Sequence, residues 1–368
     1  MSDMRYVRFG ELYKTPSCNG LSRPRAVRGE GYKMVNMGEL FSNDIINDMY
    51  MERVQMNERE LKKFLLEKGD LLFARQSLVA SGAGKCSIVN NLIEETTFES
   101  HLIRVRLDKS MANPLYYYYL FQLPYNPVKT IVNQCAQAGI RGTELVRIKV
   151  PLPDIEYQNT IANTLFQYDN LIENNNKRIR LLEQMAENLY KEWFVRFRFP
   201  GYEDTEFEDG MPRGWVREKI GLHYNTCSGG TPSRTHEEYY TEGTIPWVKT
   251  GEIKDGIIIH TDECITEAGI KGSSAKLLPQ GAVVMAMYGV NIGMLAYLDS
   301  EMTCNQACCV FNDKNEINSR HYLFHYLYSI RDYLLLIGFG AAQQNLSQDL
   351  IKKVKIVKDI ICFPCCNY

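Results

Sequence analysis

Three stretches of the chain carry residue types from which catalytic or ligand chemistry could be built, and each lacks a part that the chemistry requires. Asn113-Pro114-Leu115-Tyr116 approaches the Asn/Asp-Pro-Pro-aromatic motif of adenine methyltransferases but has leucine where the second proline belongs. Ser81-Gly82-Ala83-Gly84-Lys85-Cys86 approaches the phosphate loop Gly-x4-Gly-Lys-Ser/Thr, yet lacks the upstream glycine and the hydroxyl after the lysine. Cys362, Cys365 and Cys366 could begin a metal clip, but no histidine follows them and a tetrahedral set is incomplete. The six histidines are scattered, and spacing yields no Ser/His/Asp or paired-carboxylate arrangement. Eleven cysteines without regular spacing in 368 residues read as reduced, mostly buried thiols, not as a disulfide framework. These absences describe a chain that binds and does not catalyse.

The elements that would position a binding surface announce themselves as a weak internal repeat of about 210 residues. Lys33-Met34-Val35-Asn36-Met37-Gly38-Glu39-Leu40 is answered by Pro246-Trp247-Val248-Lys249-Thr250-Gly251-Glu252-Ile253. An apolar pair, a turn and an apolar strand follow in each copy, Leu65 to Ala74 and Leu277 to Ala286, then a glycine-containing turn around Gly84 and around Gly293. Each copy next has an aromatic helix-like stretch, Pro114 to Phe121 and His321 to Tyr328, and closes on a β-branched strand, Ile148-Lys149-Val150 and Val354-Lys355-Ile356. One match could be chance, whereas five in the same order indicate duplication. Short β-branched runs punctuated by glycine, with one or two helices per copy, predict a compact mixed α/β (α+β) domain that occurs twice. The stripe Tyr116 to Tyr119 has helical spacing and is expected in the core.

Between the copies, apolar residues recur at Ile161, Leu165, Tyr168, Ile172, Asn175, Ile179, Leu182, Ala186, Leu189 and Trp193, in steps alternating four and three. That is the 3.5-residue period of a coiled-coil seam, with Asn175 at one interior position where an amide can fix register. At 1.5 Å per residue the seam extends roughly 50 Å. So long and narrow a stripe needs a second helix alongside, and no other segment has a matching heptad run. Pro151-Leu152-Pro153 stops the preceding strand and leads into the helix at about Asp154. The expected organisation is therefore a domain over 1–153, a helical spacer over 154–199, a second domain over 200–357 and a tail over 358–368.

Composition narrows the surroundings. The chain is 45% hydrophobic and 23% charged, values of a globular protein. No apolar run reaches about 18 residues and the N-terminus lacks the apolar core of a signal peptide, so a cytoplasmic location without membrane contact is expected. The formal net charge of −2 argues against a non-specific polyanion binder. It is unevenly spread, since residues 1–150 carry 21 Lys and Arg against 16 Asp and Glu while residues 201–368 carry 15 against 21. Anion contacts in the second half must come from local placement.

The residues around the helix carry a family resemblance. Pro151-Leu152-Pro153, Gln158, Asp169, Ile172, Leu181-Leu182-Glu183, Leu189-Tyr190-Lys191, Trp193-Phe194-Val195-Arg196-Phe197 and Phe199-Pro200-Gly201 resemble the central conserved region of type I restriction-modification specificity subunits. Gly229-Gly230-Thr231-Pro232-Ser233, Ile245 to Ile253, Gly289 to Gly293, Asn305-Gln306 and Gln343-Gln344-Asn345-Leu346-Ser347 resemble that family's target-recognition domain, which the first copy matches more loosely. The resemblance covers about residues 5–357. It implies two recognition domains that each read half of a split double-stranded DNA target, a helix that sets their separation, and recruitment of two adenine methyltransferase subunits. In the complete assembly, translocating endonuclease subunits join them. S-adenosylmethionine, ATP and Mg would then sit on those partners, with no cofactor or metal on this chain. The family normally continues with another proline-flanked helix antiparallel to the first, whereas here Lys358 to Tyr368 follows. The expectation is a truncated or frame-shifted end, whose seam takes its second helix in trans or from a dimer. The alternative is an assembly-deficient chain kept as a silent or recombination reservoir of recognition domains.

Within that resemblance, base readout needs side chains with two hydrogen-bonding groups on rigid supports, and phosphate contacts need Arg, Lys, hydroxyls or loop amides. The candidates in the second domain are Ser228, Thr231, Ser233, Arg234, Lys249, Tyr288, Asn291, Gln343, Gln344 and Asn345. Those in the first are Asn36, Arg75, Gln76, Ser81, Lys85 and Arg141.

Overall fold

The computed structural model describes residues 5–24, 27–77, 82–134, 138–313, 320–338 and 345–359. The chain divides into two compact units, residues 1–177 and 178–368, with the division inside the long helix Ile155–Tyr190.

In the first unit a five-stranded sheet has the order Tyr13–Asn19, Leu102–Leu107, Leu71–Ala74, Cys86–Asn91, Ile45–Asn47. All neighbours are antiparallel except the last pair, which is parallel. The central strand is covered on both faces, and the two-residue period of a strand decides which side chain goes where. Leu71 and Phe73 enter one core with Phe9, Ile103, Tyr117 and Phe121. Leu72 and Ala74 enter another with Val35, Leu40, Ile46 and Phe98. A three-stranded sheet places Arg28–Val35 between the antiparallel Arg53–Val54 and the parallel Thr96–Phe98. Tyr6–Arg8 pairs antiparallel with Lys149–Pro151.

The second unit repeats this plan strand for strand. Its five-stranded sheet runs Tyr224–Ser228, Cys308–Asp313, Val283–Ala286, Leu295–Leu298, Gly256–Ile258, again with a parallel last pair. Its three-stranded sheet places Ile245–Val248 between the antiparallel Cys264–Ile265 and the parallel Thr303–Cys304. Trp215–Lys219 pairs antiparallel with Lys355–Asp359. That pairing takes in Lys358 and Asp359, the first two residues of the expected tail, and residues 360–368 lie outside the described set. Alternation again divides the central strand, with Val283 and Met285 facing one core and Val284 and Ala286 the other. The duplication inferred from five sequence matches is thus a duplication of topology.

The tyrosine stripe lies on the helix Pro114–Gln122, where Tyr117 and Tyr118 are buried, as expected. Asn113 caps this helix by accepting from the Leu115 amide at 2.9 Å. Against it starts the long helix, which owes its continuity to the absence of glycine and proline from 154 to 199. Gln158 is fully buried and satisfies three main-chain groups: it accepts from the Asn113 amide at 2.8 Å and donates to the carbonyls of Met111 and Pro153 at 3.1 and 2.8 Å. About three turns further along, Tyr119 donates its hydroxyl to Asp169 at 2.6 Å. Burial and that carboxylate together hold the Tyr119 phenol well above its ordinary value.

The other end of the helix passes into a π-helical turn, Lys191–Val195, that includes Trp193. It is held by aromatic contacts within the second unit. Tyr190 is buried, with its ring stacked 5.7 Å from Phe194, and Phe194 lies 4.3 Å from Tyr322. Phe199 stacks on Trp215 at 5.1 Å, and the edge of Phe197 meets the same indole at 5.6 Å. Burial depresses the His325 imidazole beside Tyr190, and the Tyr326 hydroxyl, which donates to the Lys355 carbonyl, is pushed up to about 12 by desolvation. The aromatic motif of the sequence is therefore a socket that secures the helix. Between these anchored ends every residue from Leu171 to Ala186 is exposed.

Replacing Gln158 with leucine keeps the volume and strands a buried N–H and two carbonyls. The expected loss is about 1–3 kcal/mol of stability, the cost of one unsatisfied buried group or more, read as a lower urea midpoint with an unchanged slope.

Candidate nucleic-acid interface

The three-stranded sheet of the second unit carries a polar head. Its middle strand ends at Val248, and Lys249 is the N-cap of a single 3-10 turn, Thr250–Glu252, where the Lys249 amide donates to the Glu252 carboxylate at 2.6 Å. The Lys249 ammonium lies 2.9 Å from one oxygen of Glu263, and Arg234 donates to the other oxygen at 2.6 Å. The Arg234 guanidinium also lies over the Tyr240 ring, 4.1 Å from its centroid, with the Trp247 indole at 5.5 Å. The hydrogen bond to Lys249, then that to Arg234, holds the Glu263 carboxyl below its usual range, and Glu263 in turn raises the Lys249 ammonium. Beside the head opens a groove of about 610 Å³ lined by Lys249, Glu252, Lys254, Ile257, Ile259 and His260.

The loop Gly229–Ser233 reaches this head because two glycines let it pass close to other backbone. A Cβ on Gly229 would lie 1.8 Å from the Cys304 carbonyl oxygen, and one on Gly230 would lie 2.3 Å from the Ala275 nitrogen. The loop is then tied down: the Trp247 indole donates to the Gly230 carbonyl at 3.0 Å and the Tyr240 hydroxyl to that of Pro232 at 2.5 Å. Thr231 hydrogen-bonds Gln306, and Ser233 pairs with Thr235 at 2.8 Å. The loop and strand thus gather Thr231, Arg234 and Lys249 around one locus.

Other candidates of the second domain are engaged elsewhere. Gln348 donates to Ser228. The Asn291 amide brackets the 3-10 turn by donating to the carbonyls of Thr250, Gly251 and Ile253 at 3.0–3.2 Å, which makes it a support of the head. Tyr288 and Asn345 are exposed. Gln343 and Gln344 lie outside the described residues, as does Ser81 of the first domain.

In the first domain Asn36 caps the short helix Met37–Ser42 and accepts from the Arg28 guanidinium at 3.1 Å. Arg75 and Gln76 adjoin the small sheet of Asn133–Gln134, Ala138–Gly139 and Gln76–Ser77, and Arg141, exposed, follows it. Gln76 meets His101 at 3.0 Å. Lys85 donates to the Phe41 carbonyl at 2.8 Å and pairs with Asp44 at 3.0 Å, so it is a tether as much as a free cation. Sequence reasoning passed over Glu263 and Glu52, because acidic residues were not sought as partners of the candidate cations, and over Arg28, which lies outside the matched motifs. The signal available was the repeat itself, which invites comparison of what surrounds Asn36 and Lys249. Among the described residues no group of His, Cys, Asp and Glu could hold a metal ion, and no helix is long and apolar enough to cross a membrane.

Two copies of one fold, each with a polar head beside a parallel strand pair and joined in sequence by a helix with an exposed heptad seam, define a class. The family model of the type I restriction modification DNA specificity domain matches residues 1–184 and 219–357. The chain belongs to that family and carries its domain twice. It is 25% identical over 291 residues to the type I restriction enzyme MjaIX specificity subunit of Methanocaldococcus jannaschii, a stretch that covers 76% of this chain and 65% of that one, so the match spans slightly under two thirds of that relative. The putative MjaX specificity subunit of the same organism is 24% identical over 355 residues, covering 92% and 79%. The crystal structure of a type I restriction-modification system S subunit from M. genitalium superposes with a TM-score of 0.66 at 13% identity, covering 98% of this chain and 86% of that one, which establishes the shared fold.

The Gly229→Ala substitution forces a methyl group into the Cys304 carbonyl, so either backbone must move. Overpacking of this kind costs about 1–3 kcal/mol, and the expected result is a lower thermal midpoint for the second domain, measured by calorimetry.

Proposed function

We propose that the chain is the DNA-recognition subunit of a type I restriction-modification complex and performs no chemistry itself. Residues 1–153 and 200–357 act as target-recognition domains that each read half of a bipartite duplex target, and residues 154–199 act as the spacer between them. The observation that carries this reading is the helix, whose ends are held by specific contacts while its apolar seam is left bare. Ile172, Ile179, Leu182 and Leu189 are 58%, 50%, 61% and 50% exposed. A stripe of that kind on a monomer marks an interaction site. Its heptad spacing suits a second helix, supplied by another polypeptide or by a second copy, and the packed pair docks two methyltransferase subunits. Endonuclease subunits complete the assembly, and S-adenosylmethionine, ATP and Mg belong to those partners.

The division of labour follows from magnitudes. An α-helix advances 1.5 Å per residue, a smaller step than the 3.4 Å between base pairs, so a helical spacer can set half-site separation to within one base pair. Phosphate contacts orient each domain, and side chains in the groove supply sequence preference.

Gel shifts of the chain with and without its methyltransferase subunits test the reading. Selective binding should require both, and equal affinity for all sequences would refute it. Failure to assemble even with a second helix supplied in trans would favour the silent-reservoir alternative. Insertion of one heptad after Gln184 lengthens the helix by about 10 Å and should widen the spacing between half-sites by about three base pairs, with each half-site unchanged; methylation mapping reads both.

A further inference from the structure

The repeat makes it possible to ask what each domain puts at the same place, because backbone hydrogen bonds fix the correspondence without any sequence alignment. Trp247 donates its amide to the Glu263 carbonyl as Met34 does to that of Glu52, at 3.0 and 2.8 Å. Asn305 donates to the Val248 carbonyl as Glu99 does to that of Val35, at 2.9 and 3.0 Å. Gly230 donates to the Cys304 carbonyl as Leu21 does to that of Phe98, at 2.9 and 2.8 Å. A Cβ on Gly20 would lie 2.0 Å from the Phe98 carbonyl oxygen, just as one on Gly229 would strike that of Cys304. Glu52 is therefore the counterpart of Glu263, and Asn36 that of Lys249.

Both carboxylates do the same thing to their surroundings. Glu263 binds Arg234 and Lys249; Glu52 pairs with Arg28 at 2.5 Å and approaches the Asn36 amide at 3.5 Å. The two arginines differ in what they have left to give. Arg28 spends its donors on the Arg23 carbonyl, at 2.9 and 3.1 Å, and on Asn36, and is largely buried. Arg234 gives one Nη2 hydrogen to Glu263, has its face on Tyr240 and remains 56% exposed; Nε and Nη1 meet no protein acceptor among the described residues, and the second Nη2 hydrogen completes a free donor edge with one of them.

We propose that Glu263 is the positioning residue of a base-reading arginine: with Tyr240 it fixes the plane of Arg234 so that the free edge donates to one guanine in the half-site of the second domain. This deepens, and rests on, the DNA-recognition reading above. A guanidinium clamped on one edge and one face is the arrangement that bidentate recognition of guanine O6 and N7 requires, whereas a phosphate contact needs only positive charge within reach. In the first domain the arginine that the counterpart carboxylate binds, Arg28, is a brace, so that domain does not read guanine through it. Two domains of one topology thus acquire different half-sites by leaving free or consuming the arginine that the matching carboxylate binds.

The test uses the full chain assembled with its methyltransferase subunits and a randomised duplex library, with enriched sequences read out for wild type, Glu263→Gln, Arg234→Lys and Glu52→Gln. Expected for Glu263→Gln and Arg234→Lys is a loss of about tenfold or more in preference at one guanine of the second half-site, with the first half-site and the melting temperature of the complex unchanged. Glu52→Gln should leave that guanine untouched. A uniform fall in affinity with intact base preference would make Arg234 a phosphate contact and overturn the proposal, as would relaxed selectivity in both half-sites together with a lowered melting temperature. If the wild type itself enriches no bipartite sequence, the DNA-recognition reading fails and not merely the role of Glu263.

Discussion

In each domain one strand lies between an antiparallel and a parallel neighbour, and the position of the polar head depends on that strand keeping its register. Ile245–Val248 and Arg28–Val35 are each followed directly by an N-cap residue, Lys249 or Asn36, and a slip of one residue would turn that side chain to the opposite face. The register is enforced from the side by a glycine, Gly229 or Gly20, whose missing side chain lets the loop backbone touch the parallel neighbour. Cross-strand carboxylates then place a cation beside the cap. Packing, loop path and charge placement are thus consequences of one local alignment.

The helix obeys a different economy. Its beginning is fixed by hydrogen bonds from one buried amide and its end by stacked rings, two kinds of contact that both lose strength quickly with displacement. Its middle, residues 171–186, is exposed, and surface pairs such as Glu173–Lys177 add little. Helical hydrogen bonding alone would leave such a segment marginal in water, and burial of the seam against a partner is what would secure it.

Charge is managed locally in both domains. The second carries more acidic than basic residues, yet Glu263 uses its charge to align two cations, so an acidic total coexists with local clustering of Arg234 and Lys249. Elsewhere the same chemistry is structural: Arg106 is pinned by Asp70, itself almost wholly buried, and Lys33 by Asp48 and Glu94. An arginine or lysine count therefore says little about where an anion would bind, and exposure with unspent donors says more.

The sequence by itself determined the duplication, the mixed α/β class, the helix and its seam, because strand and helix periods, proline stops and motif order are all carried by near neighbours along the chain. It also located the loop Gly229–Ser233 and the aromatic run 193–199, although not that the first is tight against Cys304 or that the second is a socket around Trp215. Only the tertiary structure decided which polar residues work together. Glu263 lies 29 residues from Arg234 and 14 from Lys249, and Gln348 reaches Ser228 across 120, separations that no local pattern encodes. Asn291, a candidate DNA contact in the sequence, donates its amide to three carbonyls of a turn, an arrangement that spacing along the chain does not show. A hydrogen-bonding side chain serves whatever partner the fold brings within about 3 Å, and that proximity arises only when the strands have paired.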